Sequence, residues 1–235
     1  MTETLYLTDS YLKECDATVT EATDKNVVLD KTVFYPRGGG QPSDTGRIIA
    51  AGIEYAVLSV SKKEGKTIHE LDKEGPKAGD AVHCVLNWER RYKLMRSHTA
   101  AHVLGATMYN ELGVLITGNQ IEEDKIRFDF NLESFDRDLL EKCVQKTNDI
   151  LKQDIELKVY SLPREEAMKI PGIVKLAAAL PPSISVLRIV EIPGVDIQAD
   201  GGTHVRNMKE TGQIELLKLE NKGKDNRRIY FKLKE

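Results

Sequence analysis

The chain has 235 residues, 40% of them hydrophobic and 30% charged, an ordinary globular mix with length enough for one large or two small domains. Its formal net charge of −3 argues against a protein that wraps along a nucleic acid, so any polynucleotide contact is expected to be local. No apolar stretch approaches membrane-spanning length, and "MTETLYLTDS" lacks a basic segment followed by an apolar run, so a cytoplasmic protein with no membrane partner is expected. The three cysteines, Cys15, Cys84 and Cys143, are odd in number and fit reduced thiols better than a disulfide framework.

Residues 1 to about 86 read as short strands. "TLYLTD", "ATVTEAT", "NVVLD", "EYAVLSV" and "AVHCVL" are rich in β-branched residues, and the turn-prone "TDKN", "KEGK" and "KEGPKAGD" separate them. Strands of this length and spacing predict a small β-barrel. Within them lies "TVFYPRGGGQPSDTG", Thr32 to Gly46. Its consecutive glycines, Gly38, Gly39 and Gly40, cannot form a stable strand or helix interior and predict a loop that approaches something closely.

A composition shift follows. "WERRYKLMRSHTAAHVLGATMYNEL" predicts a helix over Trp88–Leu112, stopped by Gly113, with Leu94, Ala101, Val103 and Leu104 supplying part of an apolar face. Two strands, "VLITGNQIEE" and "KIRFDFN", precede a second helix starting near Ser134. "IELKVYSL" predicts a strand, "PREEAMKI" a helix first turn, "ISVLRIVEI" a strand, and "QIELLKLENKGKDNRRIYFKL" a hairpin turning at "NKGKDN". The expected layout is α+β: a β-barrel domain over 1–87, then an α+β domain over 88–235 with helices packed on an antiparallel sheet.

Two pairs of residues stand out chemically. "HTAAH" puts His98 and His102 on one helix face, one turn apart. Such a pair grips a metal ion or is a chance pair on a wet face. A zinc peptidase needs glutamate after the first histidine; here that residue is Thr99, so the peptidase reading loses its general base. "DGGTH" adds Asp200 and His204 in a loop, with Gly201 and Gly202 expected to let both side chains curl toward one point. Three imidazole nitrogens and a carboxylate oxygen suit a tetrahedral Zn2+ site. Alternatively, Asp200 is a turn residue bonding nearby backbone amides. The basic "RRYKLMR", Arg90–Arg96, and the tail from Lys218 to Lys234 are phosphate contacts or solvated faces.

Together "RYKLMRSHTAAHVLGA", "GNQI", "RFDF" and "GGTHVRN…TGQI" resemble the editing domain of alanyl-tRNA synthetase, and "TVFYPRGGGQPSDTG" resembles the glycine-rich motif of that enzyme's preceding barrel. The resemblance covers nearly the whole chain, and no aminoacylation domain is expected. The sequence is therefore similar to the free-standing AlaX editing proteins, in their medium-length form. The resemblance implies an ATP-independent hydrolase that deacylates tRNA(Ala) mischarged with serine, and with glycine. It implies zinc held by His98, His102 and His204, with Asp200 where the family usually has cysteine; Gln198 is the substitute if Asp200 stays outside. It implies that Gln41, in the glycine-rich loop with Gly39 and Gly40, bonds the seryl hydroxyl or the water, though Gln41 can equally be a loop-stabilising amide; Thr32, Asn119, Gln120 and Arg127 are further candidates for the substrate site, Arg127 alternatively being the polar face of its strand. Arg90, Arg91 and Arg96 are expected to meet acceptor-stem phosphates. Two other classes stay open: a non-enzymatic tRNA-binding protein that kept the fold, and a zinc hydrolase for a small ester or amide.

Overall fold

The computed structural model describes residues 2–133, 136–173, 184–224 and 226–234. The chain divides into two compact units, Met1–Leu94 and Met95–Glu235.

The first unit contains β1 (Glu3–Thr4), β2 (Glu14–Thr23), β3 (Asn26–Leu29), β4 (Lys31–Thr32), β5 (Gly46–Ala50), β6 (Ile53–Lys63), β7 (Lys66–Leu71) and β8 (Ala81–Leu86). Six of them close into an antiparallel barrel in the order β2-β3-β7-β6-β5-β8. The alternation of β2 shows why: Ala17 and Val19 point inward while Asp16, Thr18 and Thr20 stay exposed. Val19, Leu29, Ile48, Val60, Leu71 and Cys84 meet in the interior, and closure leaves the barrel strands no open edge.

Three expectations for this unit needed correction. "TLYLTD" is not a strand beyond β1. Its Leu5–Leu7 form a 3-10 turn that buries Tyr6 against Tyr35, and Asp9 stops it by accepting the Tyr11 amide at 2.9 Å. Strands β5 and β7 escaped the sequence pattern. In β5 the run of Ile48, Ile49 and Ala50 hides the alternation, and in β7 the inward positions include the polar Thr67 and His69. The third correction is Arg91. Its guanidinium is fully buried and cannot reach a phosphate. It donates from Nε to Asp44 Oδ1 and Oδ2 at 2.9 and 3.0 Å, from Nη2 to Asp44 and to Val33 O, and from Nη1 to Ser10 O. Asp44 also accepts the Tyr35 amide at 2.6 Å. One ion pair thus gathers the N-terminal segment, both ends of the glycine-rich motif and the start of the following helix.

The tri-glycine segment is a closed turn. Gly38 and Gln41 exchange backbone hydrogen bonds of 3.1 and 2.9 Å across Gly39 and Gly40, whose φ values are 57° and 84°. Two positive φ values in succession define the two-residue hairpin turn for which glycine is favoured.

The long helix α1 (Trp88–Leu112) has the predicted bounds, and its first turn is capped by Asn87, whose side chain accepts the Arg90 amide. The second unit continues with β9 (Ile116–Ile121), β10 (Ile126–Phe130), α2 (Arg137–Leu151), β11 (Lys158–Pro163), α3 (Arg164–Ala167), β12 (Val186–Ile192), β13 (Asp196–Ala199), β14 (Ile214–Asn221) and β15 (Arg227–Leu233). It holds two antiparallel sheets rather than the one expected, ordered β14-β15-β10-β9 and β11-β12-β13. Phe128, Phe130 and Phe231 form the aromatic core of the first, and Ala167 of α3 packs with Leu187 and Ile189 under the second. Helix α2 joins the first sheet through Asn148, whose amide exchanges hydrogen bonds of 2.9 and 2.8 Å with the Ile214 backbone. Its expected start at Ser134 lies outside the described residues; Asp136 caps it through the Leu139 amide. The "QIELL…YFKL" hairpin forms as β14 and β15, whereas β13, four residues long, carried too short a pattern to be predicted. The fold is α+β. Among the described residues no helix is long and apolar enough to cross a membrane.

Candidate metal centre

Helix α1 is buried on all sides from Ser97 to Met108, so His98 and His102 project into protein, not solvent. Strand β13 delivers the chain to Asp200, and the loop turns back to present His204. One donor atom from each of His98, His102, Asp200 and His204 lies within 4.8 Å of all the others. His98 and His204 stack with centroids 4.3 Å apart, and His102 stands edge-on to both. Asp200 Oδ1 faces His98 Nε2 at 3.7 Å and His102 Nε2 at 3.9 Å. A tetrahedral ion with bonds of about 2.0–2.2 Å separates its ligand atoms by roughly 3.3–3.6 Å; the Asp200 Oδ1 spacings of 3.7 and 3.9 Å lie just above that range.

The two readings of Asp200 hold at once. Oδ2 accepts the Gly202 amide at 2.6 Å and the His204 Nε2–H at 3.0 Å, which shapes the loop, while Oδ1 faces the other imidazoles. The two glycines do different work from that expected. A Cβ on Gly202 would sit 2.2 Å from His98 Cε1, so glycine is there to let the ring approach, and Gly201 meets nothing within 4 Å.

Further side chains hold the donors in place, in roles that the sequence reading did not assign. The buried carboxylate of Asp196 accepts the His102 Nδ1–H at 2.9 Å, which fixes the tautomer and leaves Nε2 as a lone pair toward the cluster. Gln198 donates its Nε2–H to Asp196 Oδ2 at 3.0 Å. Thr99 takes the Val205 amide and lies 3.1 Å from His204 Nδ1. Its hydroxyl can donate or accept, so it supports His204 with the proton on either nitrogen. Arg188 straps the loop by donating to the carbonyls of Asp200 and Gly202 at 2.9 and 3.1 Å. No local pattern marks Asp196, Thr99 or Arg188 for these roles, because each acts through a partner brought to it by the fold.

The electrostatics fit a cation. Burial drives His204 down to about 4 and His98 well below its ordinary value, so both imidazoles are neutral near pH 7. Burial opposes ionisation of Asp200, yet the facing imidazoles, His98 first, hold it well below the usual carboxylate range. Neutral imidazoles and one negative charge meet here, a donor set that could hold a metal ion. Its arrival would displace the proton that His204 shares with Asp200.

The remaining candidates are not among these four donors. Thr32 and Gln41 belong to the first unit and both are fully buried. The Thr32 hydroxyl accepts the Phe34 amide at 3.1 Å and donates to His69 Nε2 at 2.8 Å, so it is engaged inside the barrel. Gly39 and Gly40 form the turn already described. On the β9–β10 ladder Gln120 stands opposite Arg127 and shares its face, while Asn119 points to the other. Gln120 bonds Glu122 at 2.7 Å, and Arg127 Nε lies 3.9 Å from Asp129. Arg90 and Arg96 are half-buried, each spending a donor on a backbone carbonyl, Ser43 O at 3.3 Å and Thr211 O at 3.1 Å.

Comparison with known proteins identifies relatives of the chain. The family described as tRNA synthetases class II (A) matches residues 3–90, and the threonyl and alanyl tRNA synthetase second additional domain matches residues 187–230, the stretch containing Asp200 and His204. The chain is 49% identical to the alanyl-tRNA editing protein AlaX-M of Saccharolobus solfataricus over all of both chains. It is 48% identical to that of Methanosarcina barkeri over 99% of both. It is also 38% identical to the alanine–tRNA ligase of Methanococcus maripaludis, covering 93% of this chain and 24% of the ligase. With matches this high over full length, the chain belongs to the AlaX-M family of alanyl-tRNA editing proteins.

Proposed function

We propose that this protein is an aminoacyl-tRNA deacylase that hydrolyses the ester of serine, and of glycine, on tRNA(Ala), using a site that holds Zn2+. The observation that carries this reading is the buried His98–His102–Asp200–His204 cluster in a chain whose relatives are editing proteins along their whole length. When bound, zinc would supply a Lewis acid for the ester or its attacking water.

The chain's own residues do the positioning. Asp196, Thr99 and Arg188 set the direction of two imidazoles and the loop before substrate arrives, so no reorganisation is left for the reaction step. The product ribose hydroxyl leaves with a proton from water, and no nucleotide triphosphate is consumed. Serine differs from the cognate alanine by a hydroxyl, and a site that hydrogen-bonds it rejects alanine because a buried polar group would be left unpaired. Mischarged tRNA(Ala), in the cytoplasm, is the partner we assign.

Deacylation of seryl-, glycyl- and alanyl-tRNA(Ala), measured side by side, tests the reading. Seryl-tRNA should be cleaved much faster than alanyl-tRNA, and free seryl esters poorly. Equal rates on serine and alanine, or none on any substrate with metal present, would overturn it. Asp200→Ala should lose metal and activity together, whereas Asp200→Cys, a donor of the same charge, should retain the metal.

A further inference from the structure

Strands β2 and β8 set Cys15 directly opposite Cys84. Both side chains take the inward side of their strands: Cys84 is fully buried in the barrel core, and Cys15, partly accessible, packs against it. The Leu86 amide donates to Lys13 O at 2.8 Å, which makes residues 13 and 86 a hydrogen-bonded pair. Two residues along the ladder, 15 and 84 are another, and Cα atoms in such pairs stand about 5.5 Å apart, within the roughly 4.4–6.8 Å of a disulfide. The two side chains therefore face each other on the inner side of the barrel.

The thiols are not equivalent. The hydrogen bond from Cys84, the Val33 amide and nearby Lys31 hold the Cys15 thiol below its ordinary range against partial burial. The same contact with Cys15, then burial, push the Cys84 thiol up. Cys15, the accessible one, is placed to act as the nucleophile, and Cys84, enclosed opposite it, is the resolving partner. Cys143, on α2 in the second unit, is buried.

We propose that Cys15 and Cys84 form a reversible disulfide, an oxidisable site in the barrel separate from the metal centre. The oxidant is a low-molecular-weight disulfide such as oxidised glutathione. Cys15 thiolate attacks one of its sulfurs, and the other sulfur leaves as a thiolate. Cys84 then gives up its proton and attacks the Cys15 sulfur of the mixed disulfide, releasing the second thiolate. Two protein thiols are oxidised to one disulfide, the small disulfide is reduced to two thiols, and the two protons pass to them. The bond would tie β2 to β8, the strand that runs through Asn87 into α1 and its histidines.

Incubation of the metal-loaded protein with oxidised glutathione, followed by non-reducing intact mass and peptide mapping, tests this. The expected product has lost two hydrogens, links the Cys15 and Cys84 peptides, reverts with dithiothreitol and melts at least about 5 °C higher. Cys84→Ala should stop at one glutathione adduct on Cys15, Cys15→Ala should leave Cys84 unmodified, and Cys143→Ala should behave as wild type. A stable glutathione adduct on wild-type Cys15 without the cross-link, or no reaction at Cys15, would overturn the proposal.

Discussion

His102 donates its Nδ1–H to Asp196 Oδ2 at 2.9 Å, across 94 residues of sequence. Both side chains are buried, and Gln198 holds the same carboxylate oxygen. Asp196→Asn should keep the fold but weaken zinc binding by about 10–100-fold, because a neutral amide neither fixes the tautomer nor raises the basicity of Nε2. Competition with a chromogenic chelator measures this directly. Gln198→Ala should cost less. Wild-type affinity in Asp196→Asn would remove Asp196 from the positioning role.

Gly202 offers a steric test in the same loop. Alanine there would put its methyl 2.2 Å from His98 Cε1 and 2.5 Å from Nδ1. Gly202→Ala should therefore turn the ring away and reduce metal affinity by about tenfold or more. Gly201→Ala, with nothing within 4 Å of its new methyl, is the control and should bind as wild type. Equal affinities in the two variants would show that the close approach is dispensable.

The Arg91–Asp44 pair should govern the stability of the first unit. Arg91→Ala strands a buried carboxylate and should cost about 3–5 kcal/mol. The double variant Arg91→Met with Asp44→Asn should recover part of that loss, because no charge is left unpaired. The only tryptophan, Trp88, lies in this unit and stacks on Tyr92, so its fluorescence in urea reports the transition. A single variant as stable as wild type would contradict the assignment.

His69 should make the barrel acid-sensitive. Burial drives it from 6.5 down to about 4, and its Nδ1–H donates to Val27 O at 3.2 Å while Nε2 accepts from Thr32. As pH falls below 6.5, the unfolded chain takes up a proton that the folded barrel refuses. Stability is therefore lost between about pH 6.5 and 4 and levels off below, a contribution of about 3 kcal/mol. His69→Gln should show a shallower slope over that window in urea titrations read at Trp88. Parallel slopes for the two proteins would exclude His69 as the source.

Much of this protein was legible along the chain. The bounds of α1 followed from local periodicity and its glycine stop, most barrel strands from β-branched alternation, and the four donors from two pairs with the same spacing. These are properties of neighbouring residues, and a helix or strand converts such spacing into a shared face without help from elsewhere. What escaped depended on residues far apart. Thr67 and His69 occupy core positions in β7, and the resulting pattern reads as polar. Arg91 lies in a basic run that reads as surface, and only the fold sets Asp44 against it, 47 residues earlier. Asp196, Thr99 and Arg188 carry no mark in sequence, because what each does is decided by the partner that folding brings within hydrogen-bond reach. The donor types were written locally; their tautomers, charges and directions were decided by burial and long-range hydrogen bonds, which exist only in the tertiary structure.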